Sequence, residues 1–198
     1  EIGHMTTTVW GQGYPWNVKC PLKSTGSGRV PAGCTAVAVA QVLYFMHDKV
    51  GVPTMAPTNA YFTGQYNPNV SVQNFDFTMG SMNTGVWDNM ALIESYPSSV
   101  NTDLVASFLA HIGYLVDMKY TDGGSSSNIR SALEDGMNAY GITGTLLSVD
   151  DYVSYRVVDN LRDSLVVYAR ASTDNNEGHA FVIDGYRDYR VMYNDVYE

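Results

Sequence analysis

A cysteine in the first third of the chain and a histidine near its carboxyl end are the residues with the clearest chemical potential. Cys34 directly follows Gly33 and opens a long apolar stretch, and His179 directly follows Gly178 and opens a second one. A thiolate is a strong nucleophile, and an imidazole can remove and return a proton during a reaction. The two residue types together predict a cysteine–histidine nucleophilic site.

The surroundings of Cys34 favour a reactive thiol. A free thiol has a pKa of about 8.5, and the helix-forming residues after Cys34 predict that it lies at a helix amino terminus, where negative charge is favoured. Gly33 has no side chain to block an approaching substrate backbone. In a glycine-flanked loop, Gln12 could donate its amide to an oxyanion, with the Cys34 backbone N–H as second donor. A buried, unreactive cysteine is the alternative, since most free cysteines pack as small apolar side chains.

The remaining histidines have simpler explanations. His47 and His111 lie in apolar helical stretches, which predicts a packing or capping role, and His4 lies in a short leader. His179 differs because its two neighbours are small, as a histidine open to substrate requires. An ordinary surface or core histidine remains the alternative for His179 as well.

Composition predicts a single folded domain that binds neither nucleic acid nor a metal. The 198 residues are 45% hydrophobic and 16% charged, and the net charge of −9 is opposite to what phosphate binding needs. The apolar runs are shorter than a membrane span. The two cysteines, Cys20 and Cys34, match no zinc pattern, and we expect no cofactor. A disulfide between them is disfavoured, because disulfide scaffolds are smaller and richer in cysteine.

Helices precede strands without regular alternation, which predicts an α+β fold. A buried helix is expected from Cys34 to about Lys49, and a second, capped by residues 101–103, to about Ile112. Further helices are expected over 86–95 and from Ser127 or Asn128 to about Tyr140. Strands are expected over 115–120, 145–149, 165–171, 180–183 and 189–193. Residues 58–85 are interpreted as loops with one short strand, and residues 123–127 as a loop.

Several segments resemble the streptopain family of bacterial papain-like cysteine peptidases. They are WGQGYPWN at residues 10–17, AGCTAVAVAQV at residues 32–42 and, most strongly, GHAFVIDG at residues 178–185. Between the last two segments, residues 112–118 and 125–133 also resemble the family and lie in the same order as in the family. Because the segments run in order over most of the chain, the resemblance is more specific than any one motif.

The resemblance implies a papain-like, two-lobed fold and hydrolysis of protein or peptide substrates. Cys34 would be the nucleophile, His179 the general base and acid, and Gln12 an oxyanion donor. Residues that would line the substrate cleft are Gly33, Ser125, Ser126, Ser127 and Gly178. The family further implies secretion or a bacterial cell-surface location, and an N-terminal pro-segment that inhibits the site.

One departure from the family lies after the histidine strand, where residues 186–198 lack the family's tryptophan-rich segment. We therefore expect residues 1–8 to be a leader and residues 9–198 a papain-like catalytic domain without its pro-segment and that C-terminal segment. Two other functions stay open: a catalytically impaired papain-like module that binds peptides or partners, and an acyltransferase or amidase that uses the same pair.

Overall fold

The computed structural model describes residues 1–51, 61–66, 73–78, 87–90, 99–127, 134, 137–138, 140–144, 154–174 and 178–188. Its regular elements, in chain order, are α1 (Cys34–Phe45), a π-helical turn (Met46–Val50), β1 (Tyr61–Tyr66), β2 (Gln73–Thr78), α2 (Ser99–Leu115), β3 (Lys119–Thr121), β4 (Gly124–Ser126), α3 (Ser154–Arg162), β5 (Val167–Ser172) and β6 (Gly178–Ile183). The strands form three antiparallel pairs, β1 with β2, β3 with β4, and β5 with β6.

Helix α1 is the central element of the fold. Its residues are buried on every side, as its uninterrupted apolar sequence predicts, and it packs against α2, β5 and β6. The helix continues into the π-helical turn and ends at Gly51, whose φ of 79° closes it. The predicted helix from Cys34 to about Lys49 is therefore confirmed.

Helix α2 begins two residues before the predicted cap and extends to Leu115, three residues beyond the expected end. The predicted strand over 115–120 is wrong in its first half, because Leu115 still belongs to the helix. The chain then turns at Asp117, which has a φ of 51°, and only Lys119–Thr121 forms a strand. That strand pairs with Gly124–Ser126, which the sequence predicted to be loop.

Several other expectations were also incomplete. Residues 58–85, predicted to be loops with one short strand, contain two strands, β1 and β2, and α3 was not predicted at all. Helix α3 buries only Leu161 fully among its described side chains, so its sequence lacks a wide apolar stripe. The expected strand over 165–171 is present as Val167–Ser172, and the one over 180–183 begins at Gly178.

Four predicted elements fall wholly or mainly outside the described residues. The strands over 145–149 and 189–193 lie entirely there. Within the helix expected to end near Tyr140, residues 134 and 137–138 are helical, whereas Tyr140 lies in a turn. Of the helix expected over 86–95, residues 87–90 are described, and only 87–88 are helical. Within the described part of the chain, no helix is long and apolar enough to cross a membrane.

An aromatic core supports α1 from the side of α2. Trp10 contacts Tyr44 of α1 and Phe108 of α2 edge-on, with ring centroids 5.4 Å and 6.1 Å apart. Trp87 contacts Phe108 at 5.1 Å and is fully buried. Edge-to-face pairs of this kind add to the stabilisation from area burial alone. This aromatic layer packs against the carboxyl-terminal part of α1, through Tyr44.

Candidate active site

Cys34 is the first residue of α1, as predicted. The first hydrogen bond of the helix runs from the Val37 N–H to the Gly33 carbonyl, at 3.1 Å. The N–H of Cys34 therefore precedes the helical ladder and points to where an anion would bind. Gly33 has a φ of 92°, and a Cβ there would lie 2.6 Å from the Met118 sulfur. Backbone conformation and the contact with Met118 thus require glycine, whatever its role toward substrate.

The loop that carries Gln12 is tied to the segment before Cys34. The Ala32 N–H donates to the Gln12 carbonyl at 2.9 Å, and the buried Asn17 amide donates to the Val30 carbonyl at 3.0 Å. These two bonds hold the loop beside the start of α1. Gln12 and Cys34 line the same cleft, and the role of Gln12 as an oxyanion donor stays a prediction.

His179 enters from β6, which pairs with β5 so that His179 lies opposite Ala171. Ala180 is buried, whereas the His179 side chain is exposed and stacks on Phe181, with ring centroids 6.3 Å apart. Among the described residues, no hydrogen bond joins the His179 ring to the Cys34 thiol. Exposed side chains change rotamer within nanoseconds, and catalytic hydrogen bonds are often long without substrate.

One cleft of about 370 Å³ brings these residues together. It is lined by Gln12, Cys34 and His179, and also by Val37 and Gln41 of α1. Cys34, Val37 and Gln41 follow the three- and four-residue spacing that places side chains on one face of a helix. The structure therefore unites the predicted nucleophile, base and oxyanion donor at a single concave site.

Tyr168 is a neighbour of Cys34 that the sequence did not indicate. Burial raises the pKa of Tyr168, and Thr35 and Cys34 both lie close enough to affect it. The phenol is therefore neutral beside the start of α1. A tyrosine in an ordinary strand carries no sequence signal for such a contact.

The predicted substrate-binding residues lie outside the lining of this cleft. Ser125 lies beside the segment that leads into α1, because its hydroxyl donates to the Pro31 carbonyl at 2.6 Å. Ser127 is buried and donates to the Val116 carbonyl, while Ser126 and Gly178 are exposed. Their roles toward substrate, and that of Gly33, stay predictions.

His47, His111 and the second cysteine, Cys20, are packing residues. His47 stacks on Trp87 at 4.8 Å, and His111 is fully buried with its Nδ1 2.5 Å from the Tyr140 hydroxyl. Both cysteines are free thiols, and burial raises the pKa of Cys20 to about 12. Among the described residues, no group of three or more His, Cys, Asp or Glu side chains could hold a metal ion.

Comparison with known proteins identifies the family of this chain. The family model of the Peptidase C10 family matches residues 10–195. The thiol protease/hemagglutinin PrtT of Porphyromonas gingivalis is 24% identical over 192 residues, which are 90% of this chain and 20% of PrtT. The chain thus spans about one fifth of that relative's length.

Two solved structures from Prevotella intermedia share the fold. Active wild-type interpain A, a cysteine protease, matches with a TM-score of 0.74 and 26% identity, covering 93% of this chain and 77% of interpain A. A prointerpain A fragment matches with a TM-score of 0.67 and 24% identity, covering 93% and 58%. The streptopain resemblance, the α+β papain-like fold and the cysteine-peptidase class are therefore confirmed. This chain belongs to the Peptidase C10 family, the streptopain family of cysteine peptidases.

Proposed function

We propose that the protein is a cysteine endopeptidase that cleaves protein or peptide substrates in the cleft between α1 and β6. The observation that carries the proposal is the cleft that Gln12, Cys34 and His179 share. Cys34 is the first residue of α1, and a helix amino terminus stabilises negative charge. Burial raises the pKa of Cys20, the other cysteine, to about 12, so that thiol stays protonated.

In the proposed reaction, the Cys34 thiolate attacks the carbonyl carbon of the scissile peptide bond. The Gln12 amide and the Cys34 backbone N–H donate to the oxyanion that forms. His179 gives its proton to the departing amine, which leaves an acyl-enzyme thioester. A water then attacks the thioester while His179 takes its proton, and the acid product leaves as the thiolate is restored.

The substrate contacts follow the family resemblance. Ser125 lies beside the start of α1, and Gly33 precedes the nucleophile, so both are positioned to border an extended substrate chain. We extend the same role to Ser126, Ser127 and Gly178. The whole protein is further proposed to be secreted or held at the bacterial cell surface.

A pro-segment that covers the cleft is also proposed, because a related protein exists as prointerpain A. Intact mass of the gene product before and after activation would locate the processed ends. Recovery of the active form from culture fluid or the cell surface would test the location. A single mass throughout, with full activity, would contradict the pro-segment.

The peptidase proposal is tested by two measurements on the same sample. A thiol-directed peptide epoxide should label wild-type protein once, and a fluorogenic peptide should be turned over. Cys34→Ala should abolish both, whereas Cys20→Ala, the matched cysteine control, should keep labelling at the remaining thiol. Labelling without turnover would favour the impaired binding module, and neither signal in folded wild-type protein would contradict the proposal.

A further inference from the structure

The amino-terminal segment, residues 1–8, pairs through one isolated antiparallel bridge with the chain that follows β6; we call it the N-terminal strap. Ile2 and Tyr186 exchange both backbone hydrogen bonds, at 2.8 Å and 2.9 Å. The two chains approach so closely that a Cβ on Gly185 would lie 2.7 Å from the Ile2 carbonyl oxygen. The strap is therefore fitted to the segment that follows the histidine strand.

Asp184 is the polar centre of this contact. The Thr6 hydroxyl donates to Asp184 Oδ2 at 2.6 Å, the Thr6 N–H donates to the same oxygen at 3.2 Å, and His4 Nδ1 lies 3.1 Å from Oδ1. Burial raises the pKa of Asp184, but the hydrogen bonds from Thr6 and His4 outweigh it and lower the pKa overall. An ionised carboxylate with several donors makes a strong, directional clamp.

The other end of the strap is bound to α1. The Gln41 amide donates to the Thr8 carbonyl at 3.0 Å and contacts the Thr8 hydroxyl at 3.3 Å. Gln41 lies two turns from Cys34 on the same helix face, about 10 Å along the axis. Thr6, Asp184 and Gln41 all line the cleft, so the strap forms part of its wall.

We propose that the N-terminal strap is a positioning element of the active site, an inference that rests on the proposed peptidase function. Thr6 fixes the end of β6 through Asp184, and Thr8 fixes the middle of α1 through Gln41. Because β6 carries His179 and α1 carries Cys34, the strap sets the separation of base and nucleophile. A reaction that depends on sub-ångström placement should respond to the loss of one of these bonds.

Thr6→Val tests the proposal, because it removes the hydroxyl and keeps the shape of the side chain. Thr7→Val is the matched control: Thr7 is the exposed neighbour in the same segment. Thr6→Ser restores the hydroxyl. In the full chain, kcat for a fluorogenic peptide should fall about tenfold or more in Thr6→Val, the usual effect of losing a hydrogen bond to a charged group. KM should change little, and Thr6→Ser and Thr7→Val should stay within about twofold of wild type.

A second readout separates positioning from lost stability. The rate at which iodoacetamide alkylates Cys34, followed against pH, reports the thiolate that a nearby imidazolium stabilises. Thr6→Val should lose reactivity at low pH while its thermal unfolding still shows a folded protein. Equal kcat and alkylation profiles in Thr6→Val and Thr7→Val would overturn the strap proposal. Absence of turnover in wild-type protein would contradict the peptidase function instead, and alkylation would still test the strap.

Discussion

Gly33 is the position where a single methyl group should disturb the candidate site most directly. In Gly33→Ala the new residue must adopt a φ near 92°, which L-residues avoid at a cost of about 1–3 kcal/mol. Its Cβ would also overlap the Met118 side chain, 2.6 Å from Sδ and 2.7 Å from Cε. Such overpacking costs about 1–3 kcal/mol more. The free energy of unfolding should therefore fall by about 2–6 kcal/mol, a large part of the usual 5–15 kcal/mol.

A double-mutant cycle separates the two contributions. Met118→Ala alone should destabilise by about 2–5 kcal/mol, because Met118 is buried. In that background the overlap is gone, so Gly33→Ala should cost only the backbone strain. The expected coupling between the two substitutions is therefore about 1–3 kcal/mol in the favourable direction.

Urea unfolding of the four proteins measures this cycle. Gly144→Ala is the control, since a Cβ there meets nothing within 4 Å; it should change stability by less than about 0.5 kcal/mol. The same four proteins should be labelled with the peptide epoxide, because a displaced start of α1 should slow the reaction of Cys34. If Gly33→Ala lowers the free energy of unfolding equally in wild type and in Met118→Ala, the overlap with Met118 is refuted. If it lowers nothing in the Met118→Ala background, the backbone strain is refuted.

Three further predictions concern stability. Burial lowers the pKa of His111 from 6.5 to about 4, so the unfolded chain binds a proton that the native protein does not. The free energy of unfolding should fall by about 3 kcal/mol between pH 6.5 and pH 4. His111→Leu should reduce this pH dependence, measured by urea unfolding at several pH values. The same pH dependence in His111→Leu and wild type would contradict the prediction. Ser164 follows α3 and has a φ of 61°, a backbone conformation that glycine adopts at lower cost. Ser164→Gly should therefore raise the free energy of unfolding by about 0.5 kcal/mol. A loss of thermal stability in this variant would refute the prediction. Asp122 accepts hydrogen bonds from the Ser24 N–H and hydroxyl at 2.9 Å and 2.6 Å. Asp122→Ala should therefore lower the free energy of unfolding in urea by about 1–3 kcal/mol. A change below about 0.5 kcal/mol would mean that water replaces the carboxylate, against the prediction.

Local signals predicted the elements that carry the chemistry. The uninterrupted apolar run after Cys34 predicted a buried helix, and the glycine-bounded run at His179 predicted a strand, because both patterns follow from short-range backbone preferences. The same signals failed at Leu115, which was expected to begin a strand and is the last residue of α2. Leu115 packs against the hydrophobic core, and tertiary contacts of this kind override a weak local preference.

The sequence by itself determined the residue types of the site and their local setting: a thiol at a helix start, a histidine at a strand start and a glutamine in a tight loop. Only the tertiary structure decided what surrounds them. Tyr168 lies beside Cys34, and the N-terminal strap contacts both Asp184 and Gln41. These contacts join residues that are far apart in the chain. Neighbours along the chain fix backbone conformation, but contacts between distant residues depend on how α1 and β6 pack, and no short sequence window contains both.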